Sequence, residues 1–285
     1  MKTIQKTAIA LAASGLFATA AFAQTAPAAA PEAPEASPLT ANVTVVSDYR
    51  YRGISQSNFK PAIQGGFDYA HESGFYIGNW NSSISWISDA APATANTRVT
   101  APIEMDFYGG IKKEFIGEGF ASDFGVLQYY YPTSGLNVSG TQANPNTTEL
   151  YAAQNFTFGA VTGFVKFSYS VSPIFGFANS TGSYYPDLTV NYDTGVWGLA
   201  LNGHVGYQYV SNTQTLSGVS YNFSYTDWKL GITKDFGGGL SGNISYVGTT
   251  NPQAAGSYLW SVPSSNGTSK SAGQSGGLIS LTKTF

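Results

Sequence analysis

The chain has 285 residues, no cysteine and only 10% charged residues, against about 25% in an ordinary soluble domain. A net charge of −3 without a basic run excludes a nucleic-acid partner, and the missing thiols exclude disulfides and thiolate metal sites. Hydrophobic content of 42% is unremarkable, but a membrane-spanning barrel needs only every second residue apolar.

Lys2 and Lys6 form a positive start, Ala8–Phe17 an apolar core, and Ala21-Phe22-Ala23 a small-x-small cleavage signature. Residues 1–23 are therefore expected to be an export signal cut after Ala23. Nowhere else do about 18 apolar residues run together. A membrane role would thus require a closed barrel, since an open sheet leaves unsatisfied edges in lipid. Gln24–Pro38 is rich in Pro and Ala and reads as a periplasmic linker without a packing face. Residues 39–285 are expected to be the barrel.

From Leu39 onward the sequence alternates with the two-residue period of a strand. Leu39–Tyr51 carries Leu39, Ala41, Val43 and Val45 on one side, and Ile63–Tyr69 repeats the pattern. After His71–Gly74, a hairpin signal, come Phe75–Trp86 and then Ile103–Lys112, where Ile103, Met105 and Phe107 alternate with Glu104, Asp106 and Tyr108. Further strands are expected at Gly119–Tyr131, Thr148–Phe158, Ala160–Ser172, Tyr184–Tyr192, Val196–Val210, Thr226–Phe236, Leu240–Thr250 and Ser275–Phe285. The last reads G-G-L-I-S-L-T-K-T-F and ends on an aromatic residue, as the closing stave of a barrel would.

The connections sort by side. Short ones fall at His71–Gly74, near Phe115–Glu118, and at Gly159, Asp193–Gly195 and Gly237–Gly239. Between them lie the long ones: Arg52–Lys60, Ser88–Ala101, Pro132–Thr147, Pro173–Ser183, Ser211–Gly218 and Asn251–Gln274. Bacterial barrels have short periplasmic turns and long extracellular loops. The fold class is all-β: a transmembrane antiparallel up-and-down β-barrel of about twelve strands. Aromatic residues near the expected strand ends (Tyr49, Tyr51, Trp86, Tyr129–Tyr131, Phe156, Phe158, Tyr207, Tyr209, Trp228 and Phe285) read as interfacial girdles.

The stretch L-T-A-N-V-T-V-V-S-D-Y-R-Y-R-G-I-S-Q-S (Leu39–Ser57), with P-A-I-Q-G-G-F-D-Y-A (Pro61–Ala70) and G-F-Y-I-G-N-W (Gly74–Trp80), resembles the TorF porin family of Gram-negative bacteria. T-D-W-K-L-G-I-T-K (Thr226–Lys234) and the terminal strand also fit. The resemblance spans the mature chain and is most specific in its first third. It implies an outer-membrane location and a channel role, and it brings no substrate or catalytic residues with it.

Strand parity assigns Arg50, Asp68, Glu104, Asp106, Lys112, Glu149, Lys166, Asp187, His204 and Lys229 to the lumen; a Lys or Arg on the lipid face would cost about 2–4 kcal/mol at the midplane. Two roles stay open for these charges: setting selectivity in a water-filled pore, or pairing with one another to fill the interior. Arg50 and Arg52 share a face at the expected outer end of the first strand, suited to steering anionic solutes into a mouth or, in the preferred reading, to binding lipopolysaccharide phosphates or pairing with loop carboxylates. Of the long loops, Ser88–Ala101 and Asn251–Gln274 above all, one is a candidate to fold inward. No metal-ligand spacing occurs, and His204 faces the lumen, so neither catalysis nor a cofactor is expected.

The function expected from sequence is passive diffusion of small hydrophilic solutes across the outer membrane. The alternative is a closed-lumen structural or adhesive barrel acting through its loops. Expected partners are outer-membrane lipid, lipopolysaccharide, the solutes and the barrel-assembly machinery during biogenesis.

Overall fold

The alternation in sequence becomes alternation in exposure. Along one strand Val165, Phe167 and Tyr169 are 55%, 45% and 43% exposed, while the interleaved Lys166, Ser168 and Ser170 are buried. The computed structural model describes residues 37–90, 99–136, 144–216, 219–254, 256–264 and 267–285. The expected export signal and all but the end of the linker lie outside the described residues, as do parts of four long loops.

Twelve strands form the wall. They are β1 (Leu39–Val46), β2 (Ala62–Ala70), β3 (Phe75–Ser83), β4 (Ile103–Gly117), β5 (Phe120–Tyr130) and β6 (Thr147–Phe158). The second half comprises β7 (Val161–Ser170), β8 (Tyr184–Asp193), β9 (Leu199–Gln208), β10 (Tyr225–Gly237), β11 (Leu240–Thr249) and β12 (Gly276–Thr284). Each pairs antiparallel with its sequence neighbours, and β1 closes the ring against β12. At that seam Val45 lies between Ile63 on one side and Leu281 on the other. Closure leaves no strand edge unpaired, the condition for backbone polar groups to sit in lipid.

Short turns gather on one rim, at His71–Gly74 and around Gly119, Gly159, Gly195 and Gly238. All these glycines have positive φ, which a tight turn joining twisted strands requires. The long loops emerge from the other rim, as the sequence predicts. Several boundaries differ from expectation. β1 ends at Val46 rather than Tyr51, and β3 at Ser83, so that Trp86 starts a short helix, α1 (Trp86–Ala90). β9 begins only at Leu199, leaving Trp197 82% exposed in the turn at φ 54. β4 runs on to Gly117, beyond the expected turn at Phe115.

The girdle reading needs correction. Tyr130, Phe158, Tyr207 and Phe285 point outward and are exposed, and Trp228 packs against the exposed Tyr246. Tyr49, Tyr51, Trp86, Tyr129 and Tyr131 instead belong to an aromatic cluster inside the barrel. Tyr129 and Tyr131 share the parity of Leu127, which is 1% exposed; Tyr49 and Tyr51 lie beyond the end of β1, where the chain leaves the wall.

The outer wall presents a broad apolar surface fit for lipid rather than water. Val165→Arg is expected to lower stability by about 2–4 kcal/mol if that side faces the bilayer midplane, as read from equilibrium refolding into lipid vesicles.

Candidate functional site

Past Val46 the chain bends into the lumen instead of reaching out of it. Arg50–Tyr51 pairs with Ile54–Ser55 in a hairpin whose two-residue turn is Arg52-Gly53. The φ values of 46 and 77 fit a type I′ turn, which needs positive φ at both central residues. Gly53 is obligatory on a second count: a Cβ there would meet Thr249 at 2.4 Å and Asp227 at 2.8 Å on the wall.

Asp48 organises the base of this hairpin. Its carboxylate accepts from Ser55 at 2.6 Å and Ser57 at 3.0 Å and pairs with the Arg50 guanidinium. Arg50 also donates to the carbonyls of Gly53 at 2.9 Å and Gln274 at 3.1 Å. Ser55 N–H donates to Ala272 O at 2.8 Å, so the last outer loop clasps the hairpin from the side opposite Glu149.

Arg52 holds the tip. Its guanidinium donates to Glu149 at 2.7 Å and Gln208 at 2.6 Å and lies 4.2 Å from the Tyr185 ring centre and 4.8 Å from that of Tyr51. A non-glycine residue at positive φ costs on the order of 1–3 kcal/mol. Each hydrogen bond to a charged group contributes about 1.5–3 kcal/mol, so two of them offset the strain. Burial works against the Arg52 charge, but Glu149 beside it, with the phenols of Tyr51 and Tyr129, holds its pKa well above the ordinary arginine value. Burial also raises the Tyr49 hydroxyl, and Glu104 raises it further.

Around the hairpin the lumen divides into two chemical halves. On the β2–β6 side, tyrosines donate to carboxylates. Tyr49 and Tyr131 grip the two oxygens of Glu104 at 2.5 and 2.7 Å, Tyr76 donates to Asp123 at 2.6 Å, and Tyr108 donates to Asp68 at 2.6 Å. Asp106 is buried on the same strand as Glu104. On the β7–β10 side, basic groups prevail. His204 lies 3.0 Å from Asp187 and 2.9 Å from Asp227, and Lys166 sits 4.3 Å from the Tyr151 ring centre. Lys229 is opposite His204 in the ladder; in the β2–β6 half, Lys112 is opposite Asp123.

Of the ten sequence-assigned residues, nine stand on barrel strands with inward parity. Arg50 is the exception: it belongs to the hairpin, and its cavity-facing position owes nothing to the alternation of β1. Nor do Arg50 and Arg52 act together at the mouth as expected, since the turn sends one to Asp48 and the other across to Glu149. The tyrosines, Asp48, Asp123, Gln208 and Asp227 were absent from the sequence assignment, although parity alone places Asp123, Gln208 and Asp227 inside. Among the described residues no cluster of three or more His, Cys, Asp or Glu suits a metal ion.

Two cavities meet at the hairpin. The inner one, about 230 Å³, runs from Arg50–Gly53 to the short-turn rim at Thr40 and Thr284, past Asp68, Lys166 and Lys229. The outer one, about 90 Å³, lies on the loop side. Tyr51 lines both, so the obstruction between them is the hairpin tip.

Arg52→Met strands Glu149 as a buried lone charge and is expected to cost about 3–5 kcal/mol. Arg52→Met combined with Glu149→Gln should recover much of that loss. A double-mutant cycle on denaturant unfolding in detergent reads both.

No curated protein matches the chain. Among solved structures the barrel resembles the NanC porin, with a TM-score of 0.50 and 8% identity over 87% of this chain and 98% of that one. It also resembles the KdgM porin in complex with disordered oligogalacturonate, with a TM-score of 0.48 and 6% identity over 87% and 98% of the two chains. Pseudomonas aeruginosa OprD aligns with a TM-score of 0.40 and 11% identity over 87% of this chain and 66% of that one. At such identity the likeness to NanC is one of fold. Residues 28–285 match the family described as "Bacterial protein of unknown function (Gcw_chp)", and the chain belongs to that family.

Proposed function

We propose that the protein is an outer-membrane channel of the porin type, of the TorF group, through which small hydrophilic solutes diffuse past a narrow constriction. The observation that carries this reading is the pair of cavities, one on each side of the hairpin, with the single side chain of Tyr51 lining both. A polar cavity of about 230 Å³ inside a closed barrel has room for several waters, and its mixed walls offer charges of both signs to a passing solute. The role needs no catalytic step.

The same reading takes residues 1–23 as the cleaved export signal and residues 24–38 as a periplasmic linker. It places the short-turn rim in the periplasm and the apolar outer wall in lipid and lipopolysaccharide, where the assembly machinery would insert it. Arg50, Asp68, Glu104, Asp106, Lys112, Glu149, Lys166, Asp187, His204 and Lys229 then set the lumen's charge, most of them through pairing. Lys166 and Lys229 line the inner cavity together with Arg50, Asp68, Asp187 and His204, and a solute would pass these groups.

A second reading, a closed barrel working through its loops, is favoured by the filling of one side of the lumen. There Trp80, Leu127, Tyr129, Tyr131 and Tyr151 pack into one core. Planar-bilayer recording separates the two. The refolded wild type is expected to pass a small current, and replacing residues 49–56 by a short Gly/Ser link should raise single-channel conductance several-fold. Zero current from both proteins, across voltages and salts, would favour the closed barrel.

A further inference from the structure

Charge on the outer wall is confined to one end. Along the outward positions of the twelve strands only Lys113, Lys234 and Lys283 are charged, and all three stand near the short-turn rim. Among the described residues no carboxylate pairs with any of them. Near a membrane interface lysine costs little and a carboxylate less, so tolerance alone would admit either sign at either rim. Cations on one side and no charge on the other call for a partner that is anionic and belongs to that side.

Two of the lysines flank one cleft. Lys234 stands opposite Gly242 in the β10–β11 ladder, and Lys283 opposite Leu240 in the β11–β12 ladder. β10 and β12 are two strand spacings apart, about 10 Å, a gap that two lysine side chains close on one phosphate. Gly242 puts no side chain between them, and the Phe236 ring lies 3.2 Å from where its Cβ would be. Each ammonium donates to a turn carbonyl, Lys234 to Trp197 and Lys283 to Gly238. Two of its three N–H donors remain at the level of the turns. Phe236, Phe285 and Trp197, at the same rim, are 58%, 71% and 82% exposed.

We infer that this cleft binds the phosphate of an anionic phospholipid of the periplasmic leaflet, with the aromatic rings against its glycerol and first methylenes. A zwitterionic headgroup sets its own ammonium against the phosphate and gains less from the lysines. Lipopolysaccharide phosphates would meet the opposite rim, where the strands offer no outward cation. The orientation rests on the outer-membrane reading above and not on conduction.

The test is native mass spectrometry of the full chain released from detergent, titrated with phosphatidylglycerol and, separately, with phosphatidylcholine of the same acyl chains. Phosphatidylglycerol is expected to bind about tenfold more tightly. Lys234→Gln and Lys283→Gln should each weaken its binding about fivefold and together about twentyfold, while Lys234→Arg with Lys283→Arg should retain it. Lys60→Gln, on the loop side, should change nothing. Equal binding of the two lipids, unchanged binding in the double Gln variant, or as large a loss in Lys60→Gln would overturn the assignment. Displacement of phosphatidylglycerol by an excess of inorganic phosphate would overturn it in favour of the free ion. Insertion into phosphatidylcholine vesicles is read separately, by resistance to unfolding in unheated SDS. Insertion without the lipid preference would remove the site and keep the barrel, whereas failure to insert would remove both.

Discussion

Closure of the sheet is the constraint from which the rest follows. Once β1 pairs with β12, every strand has two neighbours, and backbone groups need nothing from the surroundings. Side chains must then divide between an outside that tolerates few polar atoms and an inside of small cross-section. Carboxylates forced inward are costly to leave unpaired at such burial; Glu104 and Glu149 are 1% and 2% exposed, and an uncompensated charge there would cost several kcal/mol, with Asp106, whose Oδ1 has no hydrogen-bond partner, as the exception. The tyrosine hydroxyls on Glu104, Asp68 and Asp123, and Arg52 on Glu149, are the answer to that demand. Even the wall makes room for them: a Cβ at Gly206 would come within 2.1 Å of the Tyr185 hydroxyl oxygen.

The hairpin shows how a local strain and a long-range charge support each other. Arg52 adopts an unfavourable φ only because the turn delivers its guanidinium to Glu149 and Gln208 on two different strands. In return, the wall acquires a cation that no inward position of β6 or β9 supplies at that level. Asp48 does the complementary work at the base, gathering Ser55, Ser57 and Arg50 within one segment. The result is a rigid crosspiece, and the free volume of the lumen is split into a polar inner part and an aromatic outer part.

Strand number, strand faces and the sorting of loops were legible in the sequence because each rests on a period of two or on glycine at a turn. The hairpin was not. Tyr49-Arg50-Tyr51-Arg52 continues the alternation of β1 without a Gly or Pro before Gly53, and Arg-Gly is a poor turn signal beside Asn-Gly. The reversal is imposed by Asp48 and by partners as distant as Glu149 and Ala272, which local pattern cannot reveal. The loop after β1, one of the long connections, folds inward, and Val262 and Ala272 of the Asn251–Gln274 loop pack beside it; the depth of the hairpin follows from a charge partner in the wall, which loop length does not reveal. The tyrosines were misread for want of one step, applying to Tyr129 and Tyr131 the parity already used for the charged residues. Leu39–Ser57, at the start of the first third in which the resemblance is most specific, is the stretch that builds β1 and the crosspiece.

One strand, β1, carries both the closing seam and the segment that fills the interior. The insert follows directly on β1, and β1 meets the last strand of the sequence at the seam. Sequence ends and lumen filling are therefore tied at one stave: a change that shifts the register of β1 against β12 also moves the root of the crosspiece.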